Sequence, residues 1–131
     1  MAASSDAPVK PLSINFRLAQ RAYDAIESSD LGGADPALQK RIVEALALCE
    51  VALVQVATQD VFSPNEVGED INTNDLKYLL LPFYRGELLA RVADQAKRAE
   101  TLREALSCLR GYMADLERLE LLTEENRGWQ Q

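Results

Sequence analysis

From Leu76 to Leu89 the sequence reads LKYLLLPFYRGELL, and this run constrains the fold more than any other stretch. Leu76, Leu79, Leu80 and Phe83 make one helical face, while Tyr78, Leu81, Tyr84, Leu88 and Leu89 fill the others. A helix that is apolar all round has to be buried among other elements. Strand is the competing reading of a short apolar run, but Pro82 opposes it, because proline has no N–H to give to a central ladder. In a helix, Pro82 removes the bond to the Tyr78 carbonyl and predicts a kink there. Gly86, one turn later, leaves room for another helix. Ahead of the run, Asn72 or Thr73 is placed to cap the helix, and Asp75 lies where the helix dipole favours negative charge. The sequence thus predicts a central helix, ending near Ala93, that needs neighbours.

The neighbours are legible on both sides. Residues 1–12 read as a disordered tail. Ser13 is placed to cap a first helix to Ser28, with Ile14, Leu18, Ala22 and Ile26 at four-residue steps and Phe16, Ala19 and Tyr23 widening the face. Ser28 to Asp30 and Gly32-Gly33 end it. Asp35-Pro36, a cap followed by proline at the first helical position, restarts the chain as a second helix to about Gln59. Leu38, Ile42, Ala45, Cys49, Ala52 and Val56 form its stripe; Val43, Leu48, Val51 and Val54 lie off it and imply cover on more than one side. Asp60 to Asn74 is the one long connection, which Val61, Phe62, Val67 and Ile71 are expected to pin down. After a weak boundary at Asp94 to Arg98, a last helix runs to about Leu122. Its stripe is Leu102, Ala105, Leu109, Tyr112, Leu116 and Leu119, with Leu106 and Met113 beside it and a charged opposite face. Residues 123–131 read as a frayed end, on which Trp129 has no periodic context. Four helices with short connections predict an all-α, antiparallel helical array over residues 13–122; helical-hairpin repeats are an open alternative, but the match to a tetratricopeptide pattern is poor at its defining small and aromatic positions.

The chain has no histidine, which removes the commonest general base and metal ligand. Cys49 and Cys108 are far apart in sequence, each inside a helical pattern, and read as free thiols of a reducing compartment rather than zinc ligands. Asp70-x-Asn72-x-Asn74 matches the start of a calcium loop. Asp75 and Leu81 then stand where such a loop needs glycine and glutamate, so capping is the better reading. Glu66, Glu69 and Asp70 form an exposed acidic loop with nothing apolar beside it to raise a pKa. No phosphate loop, nucleophile elbow or dinucleotide pattern occurs, and no metal or cofactor is expected. With 131 residues the chain makes one domain. Its net charge of −7, from 14 basic and 21 acidic residues, opposes a nucleic-acid or anionic-membrane surface. Met1 to Pro8 has no signal-peptide pattern and no apolar run is long enough for a bilayer, so a cytoplasmic location is expected. By elimination the sequence points to a helical binding or scaffold protein and not an enzyme.

The stretch Val61 to Leu89 also carries a specific resemblance. Phe62-Ser63-x-Asn65-Glu66, then Asp70-Ile71-x-Thr73-x-Asp75-Leu76-Lys77-Tyr78-Leu79-Leu80, then Pro82, is similar to the hallmark of the regulators associated with type 2A protein phosphatases, called Tap-forty-two in yeast and alpha-four in animals. Phe83-Tyr84-x-Gly86-Glu87-Leu88 resembles the plant-type members. Arg98, Leu102, Ala105, Leu109 and Tyr112 fall on the family's next helix. The resemblance implies an all-helical, tetratricopeptide-like amino-terminal domain of a non-catalytic protein. Such proteins bind the catalytic subunits of type 2A-class phosphatases and act in target-of-rapamycin signalling. The family's basic Arg-x-x-Lys binding segment does not occur here, so no binding residue is carried over, and the chain reads as the front part of such a regulator. The residues of the shared motif read as structural. The densest basic group, Arg85, Arg91, Lys97 and Arg98, is where a phosphatase-binding surface would be sought, and a solvated helix end is the competing and favoured reading of it. The alternative is a helical scaffold or self-association module without phosphatase binding, joined through uncovered apolar surface.

Overall fold

The computed structural model describes residues 9–59, 61 and 73–129, apart from the side chains of 73, 74 and 120–129. Four α-helices occupy them: α1 (Leu12–Glu27), α2 (Pro36–Thr58), α3 (Leu80–Ala90) and α4 (Arg98–Trp129). Two 3-10 segments, Thr73–Leu79 and Gln95–Lys97, lead into α3 and α4. There is no strand among the described residues, so the all-α array is the observed class. The calcium-like triplet, the acidic loop carboxylates, and Phe62, Val67 and Ile71 lie outside the described side chains. Val61, the remaining pin of that connection, packs against the core.

α1 begins at Leu12 and not after a Ser13 cap. The Pro11 carbonyl accepts the N–H groups of Ile14 and Asn15, so the first turn closes without a side-chain cap. Leu12 is buried and belongs to the core rather than to a tail. The buried face is Leu12, Asn15, Phe16, Ala19, Tyr23 and Ile26, while Ile14 is exposed. Strict four-residue steps drift around a helix of about 3.6 residues per turn, and a real face alternates threes and fours. α2 starts as its sequence dictates: the Asp35 carboxylate accepts the Ala37 N–H at 2.8 Å, with Pro36 at the first position. Its buried stripe is Leu38, Ile42, Ala45, Cys49 and Ala52. Val43, Val51 and Val54, expected to be covered, are exposed.

α3 is the central element, packing on α4, on α2 and, over less surface, on α1. Its helix starts later than the sequence suggests, because Thr73–Leu79 is wound as a 3-10 segment and Leu79 is the α-helical N-cap. Pro82 therefore lies in the first turn, where its missing N–H has no intrahelical acceptor to lose. Leu81 and Leu88 are fully buried. A Cβ on Gly86 would come within 2.9 Å of Leu109 Cγ and 3.1 Å of the Ala105 carbonyl, so α4 occupies the room that glycine leaves. Aromatic rings lock the same region: Phe16 meets Tyr78 edge-on at 5.3 Å, Tyr23 lies 4.6 Å from Tyr84, and Phe83 lies 5.3 Å from Tyr112.

α3 ends at Ala90, short of the expected Ala93, because side chains from elsewhere take over its last polar groups. The Arg98 guanidinium donates to the carbonyls of Ala90 and Val92 at 3.0 and 2.6 Å. Gln39 of α2 donates to the Arg91 carbonyl at 2.9 Å and accepts the Ala93 N–H at 3.0 Å. Asp94 then caps the turn into α4 by accepting the Ala96 N–H. α4 runs on past Leu122 to Trp129, since residues 123–127 contain good helix formers and no proline. Its expected single stripe is split: Ala105 is buried and Leu109 and Tyr112 half-buried, whereas Leu102 and Leu116 are exposed.

Candidate functional site

The four basic residues singled out by the sequence sit along α3 and the turn that follows it, but the structure points them in different directions. Arg85 reaches from α3 to α4, where Nη2 meets Glu104 Oε2 at 3.0 Å and Nη1 meets Cys108 Sγ at 2.9 Å. Its side chain is only 22% exposed. Burial works against its charge, but Cys108, Glu104 and Glu50 outweigh this and hold its pKa above the ordinary value. Arg91 turns the other way and pairs with Glu27 of α1. Arg98 folds back onto the end of α3, as described above. Lys97 is exposed at the close of the second 3-10 segment. The group is therefore three interhelical or capping cations and one exposed lysine, not one continuous cationic patch.

The thiols divide in the same way. Cys49 is fully buried in α2, and burial pushes its pKa up to about 12 against a smaller opposing pull from Arg85. It is a neutral core side chain. Cys108 is half-buried beside Arg85. Among the described residues no group of three histidine, cysteine, aspartate or glutamate side chains is placed to hold a metal ion. No described helix is long and apolar enough to cross a membrane.

Within the described part of the shared motif, most of the apolar side chains are in the core, while Lys77 is exposed, its ammonium 5.4 Å from the Tyr78 ring centroid. Tyr78, Leu79, Leu81, Tyr84, Leu88 and Leu89 are buried, and Gly86 lies under α4. The Tyr84 hydroxyl accepts from Gln20 of α1 at 3.1 Å. The surface features are instead apolar side chains left in solvent: Val43, Val51 and Val54 on α2, and Leu102, Leu106, Met113 and Leu116 on α4. Sequence reasoning assigned these to covered faces. The signal that could have separated them is that α4 holds more apolar positions than one helical face accommodates.

The sequence matches the TAP42-like family over residues 12–130. It is 34% identical over 115 residues to the PP2A regulatory subunit TAP46 of Arabidopsis thaliana, covering 88% of this chain and 27% of that protein. The TAP46 of Nicotiana tabacum is 33% identical over 115 residues, with the same coverage. The human immunoglobulin-binding protein 1 family member C is 29% identical over 107 residues, covering 80% of this chain and 32% of that protein. The chain thus spans 27% of the length of these plant relatives.

Proposed function

Because the chain belongs to the TAP42-like family, we propose that it is a non-catalytic regulator that binds the catalytic subunit of a type 2A-class protein phosphatase. The observation that carries this reading is the 34% identity to a protein named as a PP2A regulatory subunit, across 88% of the chain. We place the action in the cytoplasm, within target-of-rapamycin signalling. The contact we assign to the turn between α3 and α4, where Arg91, Lys97 and Arg98 lie, with Arg85 holding the two helices in register. Lys97 is the member whose exposed charge is free of a capping duty, and an acidic surface on the phosphatase is the complementary chemistry.

The test is capture of a purified type 2A catalytic subunit by this protein. Binding is expected, and Lys97→Glu is expected to weaken it by about 1 kcal/mol or less, as for a rim charge, with a stronger effect at low salt. Absence of capture would remove the reading for this chain. Capture unaffected by Lys97→Glu would move the contact away from the turn. A second reading, a helical scaffold without phosphatase binding, is favoured by the internal engagement of Arg85, Arg91 and Arg98. It expects no capture at any salt concentration.

A further inference from the structure

α2 lies between α1 and α3 in the chain and packs on both, with its buried stripe turned towards them. On the opposite side run Pro36, Lys40, Val43, Ala47, Glu50 and Val54, all exposed. They advance by alternating steps of four and three, the spacing of a and d positions in a helix seam. Val43 is 63% and Val54 60% exposed, and Val51, 47% exposed, stands beside them. Single apolar side chains on a surface need no explanation, but these share one outward stripe. Valine is also a poorer helix former than lysine or glutamate, so local helix stability does not account for its place there.

The order of charge along this stripe decides what fits it. Lys40 and Glu50 enter no salt bridge among the described residues. A parallel copy in register stacks each seam position on itself, which sets Lys40 against Lys40 and Glu50 against Glu50. An antiparallel copy, about an axis level with Ala45, stacks a positions on d positions. Lys40 then meets Glu50, Val43 meets Ala47 and Pro36 meets Val54, each twice over, as a two-fold axis requires. At the margin, Val51 comes beside Ala37 of the second copy. The six positions are self-complementary in this arrangement, with opposite charges in one kind of layer and apolar groups in the other two. Glu44 is the exception, since it flanks the seam next to the axis and faces its own copy.

We propose that the outer face of α2 is a homodimerisation surface, on which two copies pack antiparallel along Pro36, Lys40, Val43, Ala47, Glu50 and Val54. Two Lys40–Glu50 pairs hold the register. This assignment does not rest on phosphatase binding. The overlap from Pro36 to Val54 is about 27 Å long, a single helix seam at the small end of specific interfaces. The net charge of −7 on each copy opposes association, and so does the facing pair of Glu44 side chains. The dimer is therefore a weak one, whose population follows protein concentration.

Sedimentation equilibrium of the full chain from micromolar to millimolar concentration tests it. A mass rising from 14.5 kDa towards twice that value is expected. Val43→Glu should abolish the dimer while leaving the helical circular dichroism unchanged, because Val43 is exposed in the monomer. Lys40→Glu and Glu50→Lys should each weaken dimerisation by roughly tenfold, and the two together should restore it. In a parallel dimer each single change would only exchange one like pair for another. Glu44→Gln should tighten the dimer. A protein that stays monomeric throughout overturns the proposal. A dimer indifferent to Val43→Glu forms through another face, the exposed apolar residues of α4 among them, and overturns it as well. So does a charge swap no better than its single changes.

Discussion

Gly86 and Gly111 are the same residue type, each inside a helix, with opposite surroundings. At Gly86 the nearest groups are Leu109 Cγ and the Ala105 carbonyl, and the carbonyl belongs to a helix backbone that cannot yield alone. Alanine there gains up to about 1 kcal/mol of helix propensity but overpacks the α3–α4 contact by about 1–3 kcal/mol. Gly86→Ala is therefore expected to destabilise the fold, read as a lower urea midpoint. Gly111→Ala meets open space and should stabilise the fold by roughly 0.5–1 kcal/mol. If both changes shift the midpoint the same way, the assigned close approach at Gly86 is wrong. Gly86 was legible in the sequence as a gap inside an apolar helix. Gly111 was not, because a glycine among charged residues gives no hint of whether a neighbour packs over it.

Among the elements, boundaries marked by a local signal were easier to read than boundaries set by distant residues. Asp35-Pro36 is a local signal and acts locally, through one 2.8 Å bond. The end of α3 is set by residues far away in sequence, Gln39 and Arg98, which no local pattern reveals. Pro82 was read as a kink because the helix was drawn from Leu76; the 3-10 winding up to Leu79 moves proline into a first turn instead. Gln39→Ala is expected to leave the Arg91 carbonyl and Ala93 N–H without their side-chain partner, at a cost of about 1–2 kcal/mol. Faster amide exchange at Ala93 with unchanged exchange in mid-α2 would be its signature, and unchanged exchange at Ala93 would show that water replaces the glutamine without loss. The split of the α4 stripe was hidden for a related reason: periodicity reports how many residues are apolar on a helix, not how many neighbours arrive to cover them.

For the whole molecule, the class and the order of helices were legible because buried faces leave a periodic trace. The candidate site was legible only as composition. Arg85, Arg91, Lys97 and Arg98 are close in sequence, but their partners Glu104 and Glu27 lie on two different helices, so the cluster disperses on folding. The core also carries a pH limit. Burial raises the pKa of Cys49 from 9.0 to about 12, and burial is likewise the leading cause of raised values for Tyr23, Tyr78 and Tyr84. The unfolded chain loses these protons first as pH rises, so the native state holds more protons and stability falls with increasing pH. Full stability is expected below about pH 9, with a decline of up to about 1.4 kcal/mol per pH unit per group above it. Thermal unfolding followed across that range measures it, and a flat profile to pH 11 would contradict the burial of these groups.

The two hydrogen bonds that Gln39 makes to the end of α3 have a consequence for how the array comes apart. Stacked helical hairpins ordinarily open one at a time from an end, since each touches only the next. Here a side chain near the start of the first hairpin's second helix clasps the bend of the following hairpin. Fraying of that bend therefore loosens the first hairpin as well, and the two behave as one foldon with a single opening event.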